Sequence, residues 1–312
     1  MDEIQNFIND YLLHCKYEKN LSPLSLKAYS VDLKQFYQFI KKFSVEKRIS
    51  CIDKNILREY LKELFTRNKT KTIKRKVASL KAFLNHLEFE DVIEINPFRK
   101  VRVNLREGKQ LPKVIDLYKI KKIFAYLYSE KERLTDKSSK YQCIVRDIAV
   151  LELLFATGVR VAELSNIKTN DLNLSKGYVL IKGKGNRERV IPIVHHDIID
   201  ALKTYYELFR EQIKNGEFFF INRSFNRLSE QSIRFMIKKH VQSINISQRI
   251  TPHMFRHSVA TYLLENGADI RYIQNILGHS TINTTQIYTQ VNEGPKRRLI
   301  KLKHPRGKFS FK

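Results

Sequence analysis

Four short segments in the C-terminal two thirds of this chain hold the residues that could do chemistry. The first is Leu154-Phe-Ala-Thr-Gly-Val-Arg160-Val-Ala-Glu163. It sets an arginine where a buried helix ends at Gly158 and another begins. A cation at a helix N-terminus opposes the dipole and costs stability unless an anion sits there. An ordinary surface arginine is the alternative. The second is Lys182-Gly-Lys184-Gly-Asn-Arg187-Glu-Arg189. Its glycines suit a hairpin turn that projects Lys184. It lacks the Gly-x-x-x-x-Gly-Lys-Ser/Thr spacing of a phosphate loop, and a plain hairpin tip is the alternative. The third is Pro252-His253-Met-Phe-Arg256-His257. Pro252 suits a helix start, and His253 and Arg256 share one helical face. His253 and His257 have zinc-pair spacing, but no Glu follows His253 and no cysteine is near, so no metal is expected. The fourth is Leu277-Gly278-His279-Ser280, with Tyr288 nine residues after the histidine. Alone, that tyrosine reads as packing.

The combination says more than any segment. Two arginines, two histidines, a lysine and a tyrosine suit phosphodiester chemistry without a metal. A phosphoryl centre in transfer spreads negative charge over its non-bridging oxygens, and arginine forks match that geometry. A tyrosine hydroxyl can be the nucleophile, because phenolate is also a tolerable leaving group. A phenol of pKa about 10 needs a base or nearby cations to react at neutral pH. The departing sugar oxygen needs a proton, which a lysine or histidine can give.

The elements that must position these residues follow from apolar spacing. Residues 1–100 read as four helices in a bundle, with stripes of Ile4, Phe7, Ile8, Tyr11 and Leu12, then Leu26, Tyr29, Leu33, Phe36, Phe39 and Ile40. The third is Ile56, Tyr60, Leu61 and Leu64, the fourth Val77, Leu80, Phe83, Leu84 and Leu87. Ser22-Pro23 suits an N-cap and first helical position. Thr66–Lys76 has six basic residues among eleven and no acid, and reads as a phosphate-contacting helix start. Residues 99–113, polar, basic and bounded by proline, read as a linker. Beyond it, helices are expected near 116–128, 142–156, 197–213, 229–244, 253–265, 269–277 and 281–290. Strands are expected at 178–182, 189–194 and 217–221, and an exposed loop at 130–141. The fold class is mostly α with a small antiparallel sheet.

Composition narrows the partners. The 312 residues carry 58 Lys and Arg against 32 Asp and Glu, a net charge of +26, which favours a polyanion. Residues 1–100 hold +7 of it and residues 101–312 hold +19. No apolar window is long enough for a membrane span, and Met1-Asp-Glu-Ile lacks a signal-peptide layout. Cys15, Cys51 and Cys143 are odd in number and far apart, so a reducing cytoplasm is expected.

These motifs resemble those of the tyrosine recombinases, the phage integrase family, and among them the bacterial Xer branch. The likeness spans essentially the whole chain and includes Ala156-Thr-Gly-Val-Arg160, Gly183-Lys184-Gly-Asn-Arg, Pro252 to His257, Leu277-Gly-His279-Ser, Thr284-Thr-Gln-Ile-Tyr288 and the late His304-Pro-Arg306. The resemblance implies a SAM-like helical core-binding domain over 1–98, a linker over 99–113 and a catalytic domain over 114–312, forming a C-shaped clamp on DNA. It implies that Tyr288 attacks the scissile phosphate to give a 3′-phosphotyrosine. Arg160, Arg256 and His279 hold the phosphoryl oxygens, Lys184 protonates the leaving 5′-oxygen, and His253 is acid or base at the tyrosine. Glu163 and His257 match supporting positions. Arg67, Lys69, Lys71, Lys74, Arg75 and Lys76, with Arg187 of the hairpin, are the expected DNA contacts. No cofactor, metal or ATP is implied.

The implied partners are double-stranded DNA and a homo- or hetero-tetramer with a related recombinase on paired sites, exchanging strands through a Holliday junction. A DNA translocase is an implied regulator, and the setting is the cytoplasm, at the nucleoid. The role is chromosome or plasmid dimer resolution, or integration and excision of a mobile element. The tail from about 294 serves oligomerisation, with residues 294–305 docking into a neighbouring protomer through Leu299, Ile300 and Leu302. The loop at 130–141 is longer than the usual Xer pattern. Two alternatives compete: a type IB topoisomerase-like relaxing enzyme, against which the N-terminal bundle and tail argue, and a catalytically silent DNA-binding regulator, which would leave six reactive residues without a task.

Overall fold

The computed structural model describes residues 3–43, 48–49, 52–105, 113–134, 138–183, 188–278 and 293–309. The chain divides into two compact units, Met1–Gln110 and Leu111–Lys312. The first is a helical bundle of α1 (Glu3–Tyr17), α2 (Pro23–Phe43), α3 (Lys54–Arg67) and α4 (Thr70–Phe89). The four expected stripes line its core, with Ile8, Tyr11, Leu33, Phe36, Tyr60, Leu64, Leu80 and Phe83 all buried. Capping sets the starts. The Ser22 hydroxyl accepts from the Ser25 N–H at 3.3 Å, and Asp53 accepts from the Asn55 and Ile56 N–H groups at the head of α3. Asn96 opens a 3₁₀ turn over Pro97–Lys100. Phe98 and Val101 are buried in this core, so the first residues of the 99–113 segment are packed chain.

The second unit is built around α6 (Ser139–Thr157), buried on all sides from Ile148 to Thr157. Such a helix needs neighbours all round, and α5 (Leu117–Arg133), α8 (His196–Leu208) and α11 (Pro252–Glu265) supply them. A short α7 (Val161–Ser165) leads to a three-stranded antiparallel sheet of β1 (Leu172–Asn173), β2 (Tyr178–Lys182) and β3 (Glu188–Pro192), in that order. Ile181 pairs with Arg189 and Val179 with Ile191. After α8 come α9 (Arg210–Asn215), α10 (Glu230–Ser243), α11, α12 (Ile270–Leu277) and α13 (Glu293–Lys303). Among the described residues, no helix is long and apolar enough to cross a membrane.

Several expectations change. The exposed loop over 130–141 contracts, because α5 continues to Arg133 and Ser138 caps α6 by accepting from the Tyr141 N–H at 3.0 Å. The single helix over 197–213 breaks at Phe209, whose φ of −120° leaves the helical range. The expected strand at 217–221 makes only two isolated bridges, Lys168 with Phe218 and Ile221 with Arg227. Consecutive Phe219 and Phe220 both pack on the Tyr205 ring, which defeats strand alternation. The helix expected at 281–290 lies outside the described residues. The tail also differs. Ile300 is buried in its own unit with Leu299 packed against it, whereas Leu302 is 65% exposed. Of the three residues expected to anchor a neighbour, one therefore belongs to this chain's own core.

Candidate active site

Two helix ends in the second unit meet, and glycine makes the meeting possible. α6 ends at Gly158 with φ +60°, and α12 ends at Gly278 with φ +68°. Both are left-handed positions that other residues adopt at a cost. A Cβ on Gly158 would stand 2.7 Å from Leu277 Cδ2, and one on Gly278 would stand 3.0 Å from Arg189 Nη1. The glycines of the Ala-Thr-Gly and Leu-Gly-His motifs thus let the turn after α6, the end of α12 and β3 approach one another.

Arg256, in the second turn of α11, ties the two ends together. It is 6% exposed. Its Nη1 donates to the Gly158 carbonyl at 2.9 Å and its Nη2 to the Leu277 carbonyl at 2.6 Å. Both acceptors lie at helix C-termini, where unpaired carbonyls carry partial negative charge. Burial, and then the neighbouring Arg160, push the Arg256 guanidinium down to about 10, so it is still charged at neutral pH.

Arg160 is the N-cap residue of α7. Its N–H donates to Glu163 Oε2 at 2.8 Å, its Nη1 to Glu163 Oε1 at 2.9 Å and its Nη2 to the Gly278 carbonyl at 3.3 Å. The anion that an arginine at this helix start requires is therefore Glu163, reaching back from the third helical position. The Glu163 side chain is 7% exposed. Burial pushes its pKa up, but hydrogen bonds from Arg189 and then Arg160 outweigh this and hold the carboxyl below its ordinary range.

Arg189 is the residue that the motifs did not single out. Its Nη2 donates to Glu163 Oε2 at 2.7 Å, its Nη1 to Glu163 Oε1 at 3.1 Å and its Nε to the Ile276 carbonyl at 2.8 Å. One signal was available in the sequence. The period of two along β3 puts Arg189 on the same face as Ile191, which is buried, and a cation on a core face must have a partner.

His253 and His257 stand one turn apart on the exposed side of α11. Partial burial lowers the His253 pKa, and the positive potential of His257, Arg234, Arg256 and Arg160 lowers it further, so its imidazole is neutral at neutral pH. The structure thus brings Arg160, Glu163 and Arg256 into one network, with His253 in their field. Lys184, Arg187, His279 and Tyr288 lie outside the described residues. Their described neighbours are Gly278, held by Arg160, and the hairpin pair Lys182 and Glu188.

In the first unit the basic segment divides. Lys69, Lys71 and Lys74 are exposed around the start of α4, whose first turn has no acid. Arg67 is exposed and pairs with Glu63 at 3.1 Å. Arg75 is exposed but holds the buried Asp32, which also accepts from the Ser79 hydroxyl at 2.9 Å. Lys76 departs from the expectation of a DNA contact. It is 7% exposed, with its amine on Gln35, because its place between Ile73 and Val77 turns it toward the buried face.

Comparison with known proteins adds the kinship. The Phage integrase family pattern matches residues 127–294, and that of its N-terminal SAM-like domain matches residues 8–90. A tyrosine recombinase of Agathobacter rectalis is 42% identical over 311 residues, covering the whole of both chains. The tyrosine recombinase XerD of Staphylococcus aureus is 35% identical, covering 97% of this chain and all of the relative. In fold, the chain is similar to the XerH recombinase in a post-cleavage complex with its palindromic difH substrate (TM-score 0.68, 19% identity, covering 94% of this chain and 80% of that one). It is also similar to a lambda integrase tetramer bound to a Holliday junction (TM-score 0.67, 17% identity, covering 91% and 80%).

Proposed function

We propose, for a chain that belongs to the phage integrase family and is a tyrosine-type site-specific recombinase, that the network at Arg160, Glu163 and Arg256 receives one scissile phosphate of double-stranded DNA. The observation that carries this reading is how the two arginines are anchored. A guanidinium has five N–H donors. The side chain of Arg256 uses two on the Gly158 and Leu277 carbonyls, and that of Arg160 uses two on Glu163 and the Gly278 carbonyl. Each fork is fixed by its own turn and keeps three donors for non-bridging oxygens. Donors aimed beforehand at developing charge are what phosphoryl transfer requires.

In this reading the Tyr288 oxygen attacks phosphorus. A bond forms between phosphorus and the phenolic oxygen, and the bond to the 5′-oxygen breaks. The neutral His253 accepts the phenolic proton, and Lys184 gives a proton to the leaving 5′-oxygen. His279, next in the chain after Gly278, joins the arginines at the phosphoryl oxygens, and Glu163 and His257 support the site. Each phosphodiester broken is replaced by a phosphotyrosine bond, so a 5′-hydroxyl of another duplex can reverse the step without ATP or metal. Helices within 1–98 serve as the core-binding domain, with Arg67, Lys69, Lys71, Lys74 and Arg75, and Arg187 of the catalytic domain over 114–312, as DNA contacts. Four protomers on two sites complete the exchange through a Holliday junction, as the relatives' assemblies suggest.

The test is covalent trapping on a nicked duplex that carries the site recovered by adduct capture from genomic DNA. Wild type is expected to give a denaturant-resistant protein–DNA adduct, and Tyr288→Phe none. An adduct from Tyr288→Phe would overturn the nucleophile, and a wild type that binds the site without reacting would favour the silent regulator.

A further inference from the structure

Arg189 is left without a task by the chemistry above. Resting on that reading, we propose that Arg189 is a positioning residue for strand cleavage: it saturates Glu163 so that Arg160 is oriented but not captured, and it fixes the turn from which His279 follows. The hydrogen bonds on Glu163 carry the first half. Oε1 accepts from Arg160 Nη1 at 2.9 Å and Arg189 Nη1 at 3.1 Å. Oε2 accepts from the Arg160 N–H at 2.8 Å and Arg189 Nη2 at 2.7 Å. An ionised carboxylate has about four acceptor positions, so this one is full. The Arg160 guanidinium therefore makes a single bond to it.

Without Arg189, a buried carboxylate would keep its charge with half its acceptor positions open. The donor at hand is Arg160, and a carboxylate facing an arginine takes a bidentate fork when nothing competes. That rotation would withdraw Arg160 donors from the phosphate and cancel its charge. With Arg189 present, Arg160, Arg189 and Arg256 against Glu163 leave a formal net charge of +2 in the network.

The contacts on α12 carry the second half. Arg189 Nε holds the Ile276 carbonyl at 2.8 Å, and its Nη1 lies 3.0 Å from where a Gly278 Cβ would be. One guanidinium on β3 thus touches the end of α12 and, through Glu163, the start of α7. β3 itself begins at Glu188, directly after the 184–187 segment that contains Lys184. The start of α7, the head of β3 and the end of α12 meet at this side chain.

The experiment follows single-turnover adduct formation at saturating nicked duplex, with affinity measured in parallel. Arg189→Ala is expected to slow adduct formation about 100-fold, the scale set by a roughly 1 Å misplacement of a reacting group. Its affinity for DNA is expected to stay within about 3-fold of wild type, since Arg189 itself is spent on Glu163 and the Ile276 carbonyl and the phosphate contacts away from Arg160 are kept. The deciding variant is Arg189→Ala with Glu163→Gln, which removes the uncompensated charge and releases Arg160. It is expected to cleave at least about 10-fold faster than Arg189→Ala alone, a non-additivity that contacting residues can show. A merely structural Arg189 predicts a double variant no faster than the single, and that result, or wild-type cleavage by Arg189→Ala, would overturn the proposal. Should Arg189→Ala fail to fold, Arg189→Gln, neutral but longer, gives the same comparison with and without Glu163→Gln. A wild type that forms no adduct would instead overturn the reading on which the proposal rests.

Discussion

Replacing Arg306 with methionine should unfold the C-terminal unit at a much lower temperature, and the size of the effect follows from what the arginine holds. Arg306 is 1% exposed and Glu152 is 0% exposed at the side chain. Arg306 donates to both Glu152 oxygens, from Nε at 2.8 Å and Nη2 at 2.7 Å, while the Tyr128 hydroxyl donates to Oε1 at 2.9 Å. Its Nη1 donates to the Phe309 carbonyl at 2.6 Å. Removing one partner of such a pair strands a buried charge, which costs about 3–5 kcal/mol. For a unit of about 200 residues each kcal/mol lowers Tm by about 2–4 °C, so Arg306→Met should melt about 6–20 °C below wild type. Exchanging Arg306 and Glu152 together for apolar residues strands no fully buried charge, because Asp197, 3.4 Å from Arg306 Nη1, keeps access to solvent. Arg306→Met with Glu152→Leu should therefore melt above either single variant, with a residual loss of about 1–3 kcal/mol because the Tyr128 hydroxyl and Phe309 carbonyl lose partners. Calorimetry of the full chain, where the two units can give separate transitions, measures all four proteins. A single variant within about 3 °C of wild type, or a double variant whose loss is the sum of the singles, would refute the reasoning, since the charge argument predicts strong coupling.

Gly278→Ala forces a left-handed backbone at a cost of about 1–2 kcal/mol and pushes on the Arg189 guanidinium. It should lower Tm by several degrees and slow adduct formation more than Gly267→Ala, whose added Cβ would meet only the end of the Lys303 side chain at 3.6 Å; equal cleavage by the two variants would contradict the close approach at 278. In the base role proposed for His253, the neutral form is the reactive one. Its fraction falls as pH drops through a pKa held below the ordinary 6.5, so cleavage should be level above pH 6.5 and decline only below it. His253→Gln should lose that acidic limb, and an unchanged limb in the variant would assign it to another group. In DNA binding, Lys71→Ala should reduce the slope of log K against log salt by about 0.9, one phosphate contact, whereas Lys76→Met should leave the slope unchanged. A reduced slope for Lys76→Met would show that this side chain leaves Gln35 for the duplex.

The readable parts of this molecule are those set by local spacing. Apolar residues every three or four positions gave α1 to α4, because such stripes bury only when helical. The strand at 178–182 came from alternation, and the cap at Ser22 and the helix start at Pro252 came from residue type. The glycine at 158 marked a helix end for the same reason. The misread parts carry weak or conflicting local patterns. α5 reaches Arg133 although Glu130 to Arg133 looks like a solvated loop, and Phe219 and Phe220 abandon a strand for the Tyr205 ring. The site divides the same way. Arg160, His253 and Arg256 stood out through motif and spacing, and Glu163 through the family resemblance. Arg189 reaches Glu163 across 26 positions and Arg306 reaches Glu152 across 154, and no local pattern marks either pair.

The charge of +26 therefore has to be divided by what each cation touches. Within 66–76, Arg67 and Arg75 face carboxylates and Lys76 is turned inward, while Lys69, Lys71 and Lys74 are exposed around the start of α4. In the tail, Arg306 is bound to Glu152 and Arg297 donates to the Lys176 carbonyl at 3.0 Å. Counting Lys76, Arg297 and Arg306 as duplex contacts would overstate the affinity and its salt dependence. In the site itself the same balance works in the opposite direction. In the role proposed for it, a third arginine lets the first keep its charge, because the fork that Arg189 makes on both Glu163 oxygens closes them to a second fork from Arg160. The reactive potential of this unit is thus set by Glu163 and the two arginines on it, and an added surface lysine would not restore what Arg189 supplies.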